Sequence, residues 1–391
     1  MTSARSRVLL AMSGGVDSSV AAALLQRDGH EVIGVFMRLG SPGETLDTPI
    51  PGHEACDTTP ARIGKQGCCS INDAADARAV AAELGIPFYV SNFKDDFGRI
   101  IDYFVDEYTR GRTPNPCVRC NDWLKFGKLH ELARQLGCDA VASGHYARID
   151  HDHSSGPRLM RGVDDHKDQS YVLFGVGRHQ LDHMLLPIGG LAKQRVRQLA
   201  QELGLPVFDK PDSQEICFVH DNDYASLVSR RAPDAAIPGA IVTVEGERVG
   251  THEGQHRFTI GQRRGLGIAS PEPLYVVGRD AATNTVTVGS RQALSRAGCV
   301  VSEANWLVDP PEDNAWHSCR AKYRYNTPDV LARYRVLDDA TDPSHSGRVG
   351  RFEVRFDAPQ DAIAPGQALV LYSSDDPDWV IGGGWIDNAS A

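Results

Sequence analysis

The stretch Val8-Leu9-Leu10-Ala11-Met12-Ser13-Gly14-Gly15-Val16-Asp17-Ser18-Ser19 decides the fold, because it predicts a buried strand, a phosphate-binding loop and the start of a helix. Adjacent glycines let the backbone approach an anion closely, and the hydroxyls of Ser13, Ser18 and Ser19 can donate to phosphate oxygens. A helix that begins near Asp17 directs its free amide groups at the same anion. A carboxylate beside phosphate is repelled unless a divalent cation lies between them, so Asp17 is predicted to ligate Mg²⁺, directly or through water. The loop therefore predicts a site for a magnesium nucleotide.

The loop lacks the Gly-Lys-Ser/Thr ending of a Walker loop and the Gly-x-Gly-x-x-Gly spacing of a dinucleotide-binding fold. It resembles instead the pyrophosphate loop of ATP pyrophosphatases, which cleave ATP between the α and β phosphates and activate a substrate as its adenylate. A Ser/Gly turn between a strand and a helix is also common without any ligand, so this hypothesis depends on the rest of the chain.

An Ala/Leu-rich helix, a glycine and an apolar segment follow one another four times in the first half of the chain. The glycines are Gly29, Gly85, Gly137 and Gly204. Each is predicted to end its helix in a left-handed conformation before a strand. The runs 32–37, 87–90 and 140–143 predict buried parallel strands, and thus a doubly wound α/β domain to about residue 215. Because ligands bind at the carboxyl ends of such strands, the loops after Met12, Met37 and Ser143 are expected to converge.

After about residue 220 the sequence changes to short apolar runs separated by Gly and Pro, which is typical of small β domains. Thr283-Asn284-Thr285 is predicted to form a hairpin turn. Residues 322–325, 330–336, 350–356 and 367–372 are predicted to be barrel strands, with a polar linker at 338–346. We divide the chain into an α/β domain (1–217), a central β-rich domain (218–295) and a C-terminal β-barrel (296–391).

The composition predicts a soluble protein with two or three domains, since 391 residues exceed the usual size of one core. Hydrophobic residues make up 41% of the chain, and no apolar run approaches the length that spans a membrane. The apolar run after the basic start is too short for a secretion signal, so a cytoplasmic location without a membrane partner is expected. A net charge of -10 argues against indiscriminate attraction to nucleic acid but is compatible with one basic face.

Nine cysteines without a secretion signal indicate thiol chemistry or metal binding rather than a disulfide framework. Cys117 and Cys120 lie in the segment 111–121, which Pro114 and Pro116 are predicted to stiffen into a fixed loop. Cys-x-x-Cys is half of a zinc site, and a structural zinc stays an alternative although no second pair has the matching spacing. The other cysteines considered for such a site are Cys56, Cys68, Cys69, Cys138 and Cys217. A cysteine beside Ile216 and Phe218 would by itself be interpreted as a small buried hydrophobe.

Five further segments change that interpretation of Cys217. They are 113–121 with Leu124-Lys125-Phe126, then 142–147, 167–171, 212–218 and 258–267. Together with the phosphate loop, and in this order, they resemble the tRNA-specific 2-thiouridylase family over nearly the whole chain. The combination of the loop with Pro-Asn-Pro-Cys-x-x-Cys and Asp-Ser-Gln-x-Ile-Cys is highly specific.

The resemblance implies an enzyme that uses ATP to replace the C2 oxygen of the wobble uridine in tRNA with sulfur, giving 2-thiouridine, AMP and pyrophosphate. It implies an N-terminal ATP-pyrophosphatase domain of the HUP type, followed by two small mainly β domains, of which the last is a tRNA-binding barrel. The implied cofactors are ATP and Mg²⁺. The implied partners are the anticodon stem-loop of tRNA and a cysteine desulfurase or sulfur-carrier protein.

The resemblance also implies roles for individual residues. The implied ATP-binding residues are Ala11, Met12, Ser13, Gly14, Gly15, Val16, Asp17, Ser18, Met37 and Gly144. Cys217 is implied to carry a persulfide and Cys120 to be the second catalytic thiol. Either the persulfide attacks directly and a Cys120–Cys217 disulfide forms as the product departs, or Cys120 first releases hydrosulfide. The implied tRNA-binding residues are Asn115, Pro116, Cys117, His145, Lys167, Asp168, Gln169, Arg324, Tyr325 and Gln367.

Cys117 departs from the family pattern, because many relatives carry there an Asp that is a proposed acid/base group. A thiol is a poorer acid at neutral pH, which weakens that assignment for Cys117. Cys117, Cys120 and Cys217 could also ligate a [4Fe-4S] cluster whose open iron binds hydrosulfide. Two other classes stay open: a synthetase that adenylates a small molecule, and a tRNA-binding or iron–sulfur regulatory protein that holds nucleotide without turnover.

Overall fold

The computed structural model describes residues 6–40, 71–212, 216–219, 223–337 and 350–390. The chain forms two compact units. The first unit comprises Met1–Ile100 and Arg119–Asn222, and the second comprises Ile101–Val118 and Asp223–Ala391. The predicted linker at 338–346 lies outside the described residues, as do Cys56, Cys68 and Cys69. Within the described ranges, no helix combines the length and the apolar character needed to cross a membrane.

Helices and strands alternate along the first part of the chain. In order they are β1 (Arg7–Ala11), α1 (Val16–Arg27), β2 (Glu31–Arg38), α2 (Ile71–Glu83), β3 (Phe88–Asn92), α3 (Lys94–Thr109), α4 (Pro116–Arg119), a π-helical segment (Cys120–Lys128), α5 (Leu129–Gln135), β4 (Ala140–Ser143), β5 (Ala147–Asp150), β6 (Arg158–Arg161), α6 (Ser170–Leu173), β7 (Met184–Leu185) and α7 (Lys193–Glu202). A 3-10 turn at Arg178–His183 precedes β7.

A parallel sheet organises the first unit, with the strand order β3-β2-β1-β4-β7. β1 is its central strand, and Val8, Leu9 and Leu10 are fully buried there. A central parallel strand is covered on both faces, which explains why β1 is a continuous apolar run rather than an alternating one. The predicted doubly wound α/β fold is confirmed. β5 and β6 form a separate antiparallel hairpin.

The predicted helix–glycine–strand junctions are correct at three of the four glycines. Gly29, Gly85 and Gly137 adopt φ angles of +92°, +63° and +64°, and each precedes a strand of the sheet. Gly204 is also left-handed, with φ +66°, but turns rather than a strand follow it. Pro206 stands in that segment, and a proline has no N–H to donate to a neighbouring strand.

The prediction that the segment 87–90 forms a buried strand is wrong in part. β3 is a parallel strand, but it lies at the edge of the sheet, where Tyr89 is 49% exposed and Val90 is 45% exposed. An edge strand pairs on one side only, so apolar residues do not guarantee burial there.

The second unit is mainly β after its first helix. Its elements beyond residue 222 are α8 (Tyr224–Arg231), β8 (Gly239–Thr243), β9 (Arg248–His252), β10 (Tyr275–Asp280), β11 (Thr285–Gly289), β12 (Ser295–Trp306), β13 (His317–Lys322), β14 (Val330–Leu337), β15 (Arg351–Asp361), β16 (Ala368–Ser373) and β17 (Val380–Ser390). Short 3-10 turns lie at Pro233–Ala235, Gln255–Arg257 and Arg291–Leu294.

The second unit contains one open sheet and one barrel. The open sheet has the order β10-β11-β8-β9, and the barrel closes in the order β12-β15-β14-β13-β16-β17. The predicted hairpin joins β10 to β11, and Asn284 in its turn has φ +49°, which Asn tolerates better than most residues. The predicted barrel is confirmed, although the strand expected at 322–325 instead ends at Lys322.

Candidate nucleotide and thiol site

The phosphate loop lies at the carboxyl end of β1, where the chain turns into α1. Gly14 has φ +70°, and Gly15 precedes the helix in an extended conformation. The backbone N–H of Ser13 donates to Ser18 Oγ at 3.2 Å, and Ser19 Oγ donates to the carbonyl of Gly15 at 2.8 Å. These bonds fix the loop directly in front of the first-turn amide groups of α1. The predicted strand–loop–helix arrangement is thus present.

Two glycines allow other backbone segments to pack directly against this loop. A Cβ atom on Gly14 would lie 2.1 Å from the carbonyl oxygen of Asp73 in α2. A Cβ atom on Gly144, which follows β4, would lie 2.7 Å from the backbone nitrogen of Ser18. Met37 lies at the carboxyl end of β2 and is partly exposed. The loop after β4 therefore meets the phosphate loop, as predicted, at the end of the sheet where Met37 also lies.

The carboxylate of Asp17 has two polar partners from distant parts of the chain. Lys193 Nζ lies 2.8 Å from both carboxylate oxygens, and the Tyr146 hydroxyl donates to Oδ1 at 2.7 Å. Burial and the nearby Asp17 charge raise the pKa of Tyr146, so it stays a hydrogen-bond donor. Lys193 Nζ also lies 2.9 Å from Asp212, and the lysine side chain is only 12% exposed. One ammonium group therefore bridges two carboxylates beside the phosphate loop.

Asp212 is held by three cationic side chains. Lys167 Nζ lies at 2.8 Å, Arg197 Nη2 at 2.7 Å and Lys193 Nζ at 2.9 Å from its carboxylate oxygens. Burial raises the pKa of Asp212, but the hydrogen bonds from Lys167 and Lys193 outweigh that effect and lower the pKa to about 2. Asp212 is therefore ionised at neutral pH and fixes the position of these cations.

Lys210 makes a second connection to the phosphate loop. Its Nζ donates to the carbonyl of Gly14 at 2.9 Å and to the carboxylates of Asp73 and Asp76 at 2.7 and 2.5 Å. Burial lowers the pKa of Lys210, but the two carboxylates raise it overall. The segment 210–212, which precedes Cys217 in the chain, is thus anchored beside the phosphate loop. Lys193 and Lys210 carry no signal in the sequence, because nothing in their spacing marks them as partners of Asp17 or Gly14.

The three cysteines singled out by sequence occupy different surroundings. Cys120 and Cys217 belong to the first unit and are partly buried, whereas Cys117 belongs to the second unit and is exposed. The predicted fixed loop around Cys117 and Cys120 is wrong, because α4 begins at Pro116 and helical structure continues to Gln135. Proline is favoured at the first helical position, where its fixed φ suits the helix and its missing N–H costs nothing.

The segments that carry Cys120 and Cys217 both contact α3 near its start. The ring of Phe218 meets the ring of Phe97 edge-on at 5.6 Å. The ring of Trp123 lies 5.5 Å from the guanidinium of Arg99. Phe97 and Arg99 are two positions apart in α3, so the two contacts lie on different faces of the helix.

Two residues predicted to contact tRNA are used inside the first unit. Asp168 is 5% exposed and accepts hydrogen bonds from the backbone N–H of Ser170 at 3.0 Å and from its hydroxyl at 2.9 Å. Gln169 Oε1 accepts from the backbone N–H of Tyr146 at 2.9 Å. Both side chains hold the local loop in shape, and Gln169 also supports Tyr146, which is a partner of Asp17.

His145 is buried next to Gly144. Its Nδ1 lies 2.6 Å from Ser143 Oγ, and its ring lies 5.8 Å from the ring of Phe126. Burial, with a smaller effect from the charge of Lys125, holds the pKa of His145 well below its usual range. The imidazole is therefore neutral at physiological pH.

In the second unit, Gln367 positions the segment that contains Asn115 and Pro116. Gln367 Nε2 donates to the carbonyls of Thr113 and Pro114, both at 3.0 Å. Asn115 Oδ1 accepts from the backbone N–H of Val118 at 3.4 Å, next to the first turn of α4. Gln367 and Asn115, both predicted to contact tRNA, thus stabilise the same short segment.

Arg324 and Tyr325 follow the end of β13. Arg324 Nη2 donates to the carbonyls of Ile260 at 3.2 Å and Ala362 at 2.8 Å. Tyr325 is 39% exposed, and Lys322 Nζ lies 5.8 Å from the centre of its ring. An exposed aromatic ring with an adjacent cation is a suitable surface for a stacked base and its phosphate.

The part of the chain that the structure describes contains no group of three or more His, Cys, Asp or Glu side chains arranged to hold a metal ion. Neither the [4Fe-4S] hypothesis nor a structural zinc gains support from these residues. Magnesium behaves differently, because it usually takes one or two carboxylates and completes its shell with phosphate oxygens and water. Asp17, a single carboxylate beside a phosphate loop, fits an ion that arrives with a nucleotide.

Family models cover almost the whole chain and define its class. The tRNA methyl transferase HUP domain matches residues 6–221, the tRNA methyl transferase PRC-barrel domain matches 226–290, and the aminomethyltransferase beta-barrel domain matches 296–386. The chain therefore combines a HUP domain with a PRC-barrel-family domain, whose described strands form the open sheet, and a closed C-terminal β-barrel.

Curated relatives identify the family within that class. The tRNA-specific 2-thiouridylase MnmA of Geotalea uraniireducens is 47% identical over 393 residues, covering 98% of this chain and 96% of the relative. The proteins of the same name from Rhodopirellula baltica and Clostridioides difficile are 47% identical over 399 residues and 42% identical over 387 residues. They cover 98% of this chain and 97% and 98% of their own lengths, respectively. The chain belongs to the tRNA-specific 2-thiouridylase family, which confirms the resemblance found from the motifs.

Proposed function

We propose that this protein converts the wobble uridine of tRNA to 2-thiouridine, with ATP activating the C2 oxygen and a cysteine persulfide supplying the sulfur. One observation supports this proposal above all: in this chain of the 2-thiouridylase family, the phosphate loop lies in the same compact unit as Cys120 and Cys217. An adenylating enzyme that does not transfer sulfur would have no use for these two thiols.

Activation of the C2 oxygen comes first, because the oxygen of a urea-like carbonyl is a poor leaving group. The oxygen attacks the α-phosphate of ATP, the bond to the β-phosphate breaks, and pyrophosphate departs. The backbone amides of Gly14, Gly15 and the first turn of α1 stabilise the charge that collects on pyrophosphate. Met37, at the carboxyl end of β2, and Gly144, which follows β4, complete the ATP pocket on either side of β1. Asp17 would hold Mg²⁺, which when bound supplies positive charge beside the phosphates.

Sulfur transfer then uses the two thiols. In the direct route, the terminal sulfur of a Cys217 persulfide attacks C2, and AMP leaves with the former C2 oxygen. The Cys120 thiolate attacks the inner sulfur of Cys217, the sulfur–sulfur bond to the transferred atom breaks, and its electron pair stays with the new C2 thiocarbonyl. In the alternative route, Cys120 attacks the persulfide first and releases hydrosulfide, which then attacks C2.

Both routes leave a Cys120–Cys217 disulfide, so the sulfane sulfur has been reduced by two electrons and the two thiols oxidised by two. A thiol reductant must restore the enzyme, and a cysteine desulfurase or sulfur carrier must reload Cys217.

The tRNA side of the reaction requires an everted base, since C2 of a stacked uridine is out of reach. Asn115, Pro116 and Cys117 are proposed to contact that base. Further tRNA contacts are assigned to His145, Lys167, Asp168, Gln169, Arg324, Tyr325 and Gln367. Where these side chains are already used within the protein, as Gln367 is, they act by shaping the segments that touch RNA. With tRNA and ATP as substrates, the cytoplasm is the expected location.

The test is mass spectrometry of the wobble nucleoside after tRNA is incubated with ATP, Mg²⁺ and a desulfurase with cysteine. We expect 2-thiouridine from the unaltered chain and none from Cys217→Ser or Cys120→Ser. Cys138→Ser is the matched control, because this partly buried thiol has no proposed role and should leave the yield unchanged. Equal thiolation by Cys217→Ser would refute the sulfur route, and pyrophosphate release that does not depend on tRNA would favour a small-molecule synthetase.

A further inference from the structure

Lys193 lies beside the phosphate loop but has no role in the reaction proposed above. Its ammonium group lies 2.8 Å from both oxygens of Asp17 and 2.9 Å from Asp212, and its side chain is 12% exposed. The backbone N–H of Lys193 is also fixed, since it donates to Asp164 at 2.9 Å at the start of α7. The charge is therefore held beside the phosphate loop by the fold and not by chance contact at the surface.

The two carboxylates paired with Lys193, those of Asp17 and Asp212, are affected differently when a nucleotide binds. Asp17 belongs to the first turn of α1, next to the proposed phosphates, and is the proposed magnesium ligand. A carboxylate whose oxygens face a metal ion cannot keep both of them on an ammonium group. Asp212 carries two further cations, Lys167 and Arg197, and stays ionised because its pKa is lowered to about 2. Asp212 is thus the permanent partner and Asp17 the exchangeable one.

We propose that Lys193 is a phosphate-binding residue of the nucleotide site, which exchanges Asp17 for a phosphate oxygen of ATP while Asp212 keeps its ammonium group in place. This inference rests on the proposed ATP site and adds a ligand to it. Before nucleotide binds, Lys193 also neutralises Asp17, which would otherwise repel the incoming phosphates. Afterwards it contributes a charge-assisted hydrogen bond to them. Asp212 is a positioning residue in this scheme.

The experiment measures binding of pyrophosphate, ATP and adenosine to the full chain by calorimetry in the presence of Mg²⁺. A charged hydrogen bond of this kind corresponds to roughly a tenfold to hundredfold change in affinity. We expect Lys193→Met to weaken pyrophosphate and ATP by that factor and to leave adenosine binding unchanged, while Lys193→Arg restores most of the loss. A purely structural role would weaken all three ligands together, which would overturn the inference.

Two matched controls separate phosphate binding from general charge loss. Arg195→Met removes a cation from the same helix, where Arg195 is paired with Glu202 at 2.7 Å and 45% exposed, and should leave all three affinities unchanged. Arg197→Met removes a cation that is paired with Asp212 and not with Asp17, and should affect pyrophosphate much less than Lys193→Met does. Equal losses from Arg197→Met and Lys193→Met would assign the effect to Asp212 alone and overturn the proposal.

Loss of Lys193 also leaves two carboxylates close together, which could prevent folding. In that case Asp17→Asn/Lys193→Met is compared with Asp17→Asn alone, and the double variant should still bind pyrophosphate at least about tenfold more weakly. Unchanged binding by Lys193→Met would refute this inference while the proposed function stands. Failure of the unaltered chain to bind ATP or pyrophosphate would refute the proposed function itself.

Discussion

Replacing Gly14 with alanine should destabilise the first unit for two separable reasons. The left-handed backbone, with φ +70°, costs a residue with a Cβ atom about 1–2 kcal/mol. The new Cβ would also lie 2.1 Å from the backbone oxygen of Asp73, and moving packed backbone apart typically costs about 1–3 kcal/mol. The two effects together predict a loss of about 2–5 kcal/mol in the free energy of unfolding.

Gly85→Ala is the matched control, because it shares the backbone strain but not the clash. Gly85 has φ +63°, and among the described residues no atom beyond its chain neighbours lies within 4 Å of the position its Cβ would take. A domain of this size loses about 2–4 °C per kcal/mol. Scanning calorimetry should therefore show a fall of about 2–8 °C for Gly85→Ala and about 4–20 °C for Gly14→Ala. If the two variants lose the same amount, the close approach of α2 to the phosphate loop is not a feature of the folded protein.

Two further predictions concern ionisation and thiol reactivity. The pKa of Asp212 is about 2 in the folded chain and about 3.9 in the unfolded chain, so the folded state binds fewer protons between these values. The ion pairs of Asp212 therefore stabilise the folded state above about pH 4, and this stabilisation is lost as the pH falls towards 2. The unfolding temperature of Asp212→Asn should therefore depend less steeply on pH in that range than that of the unaltered chain, and parallel curves would contradict this. Iodoacetamide should modify the exposed Cys117 well before Cys299 and Cys319, since burial raises the pKa of both buried thiols, that of Cys319 to about 12. Peptide mapping by mass spectrometry gives the order, and early labelling of Cys299 would mean that the barrel core is open.

The sheet could be predicted from sequence because its signals are local. A continuous apolar run, adjacent glycines and a helix start stand next to each other in β1, the loop and α1, and Gly29 stops the helix where the next strand begins. The segment after Gly204 carries the same signals up to Pro206, but hydrogen-bonded turns follow, from the N–H of Phe208 to the carbonyl of Leu205 and from the N–H of Lys210 to the carbonyl of Val207. Leu205 and Val207 still reach the core, so apolar character predicted burial correctly and secondary structure wrongly.

Only those parts of the site that are formed by residues adjacent in sequence could be predicted. The phosphate loop and Gly144 could be placed because strand ends converge at one edge of a parallel sheet. The ion pairs of Lys193 could not, since Asp17 and Lys193 stand far apart in the chain and a lysine at a helix start is more often a solvated charge. The prediction of a loop around Cys117 failed for a different reason: two nearby prolines predict a stiffened loop, whereas Pro116 occupies the first position of a helix.

The closed barrel limits how the second unit can recognise another molecule. In a cyclic sheet every strand has a neighbour on each side, so β12 to β17 offer no row of unpaired amides on which an extended chain could be added as a further strand. Any RNA bound there has to be read by side chains on the outer wall and by the loops at the rims. Affinity for RNA can therefore change through surface substitutions, one side chain at a time, while the hydrogen-bonded cylinder beneath them stays the same.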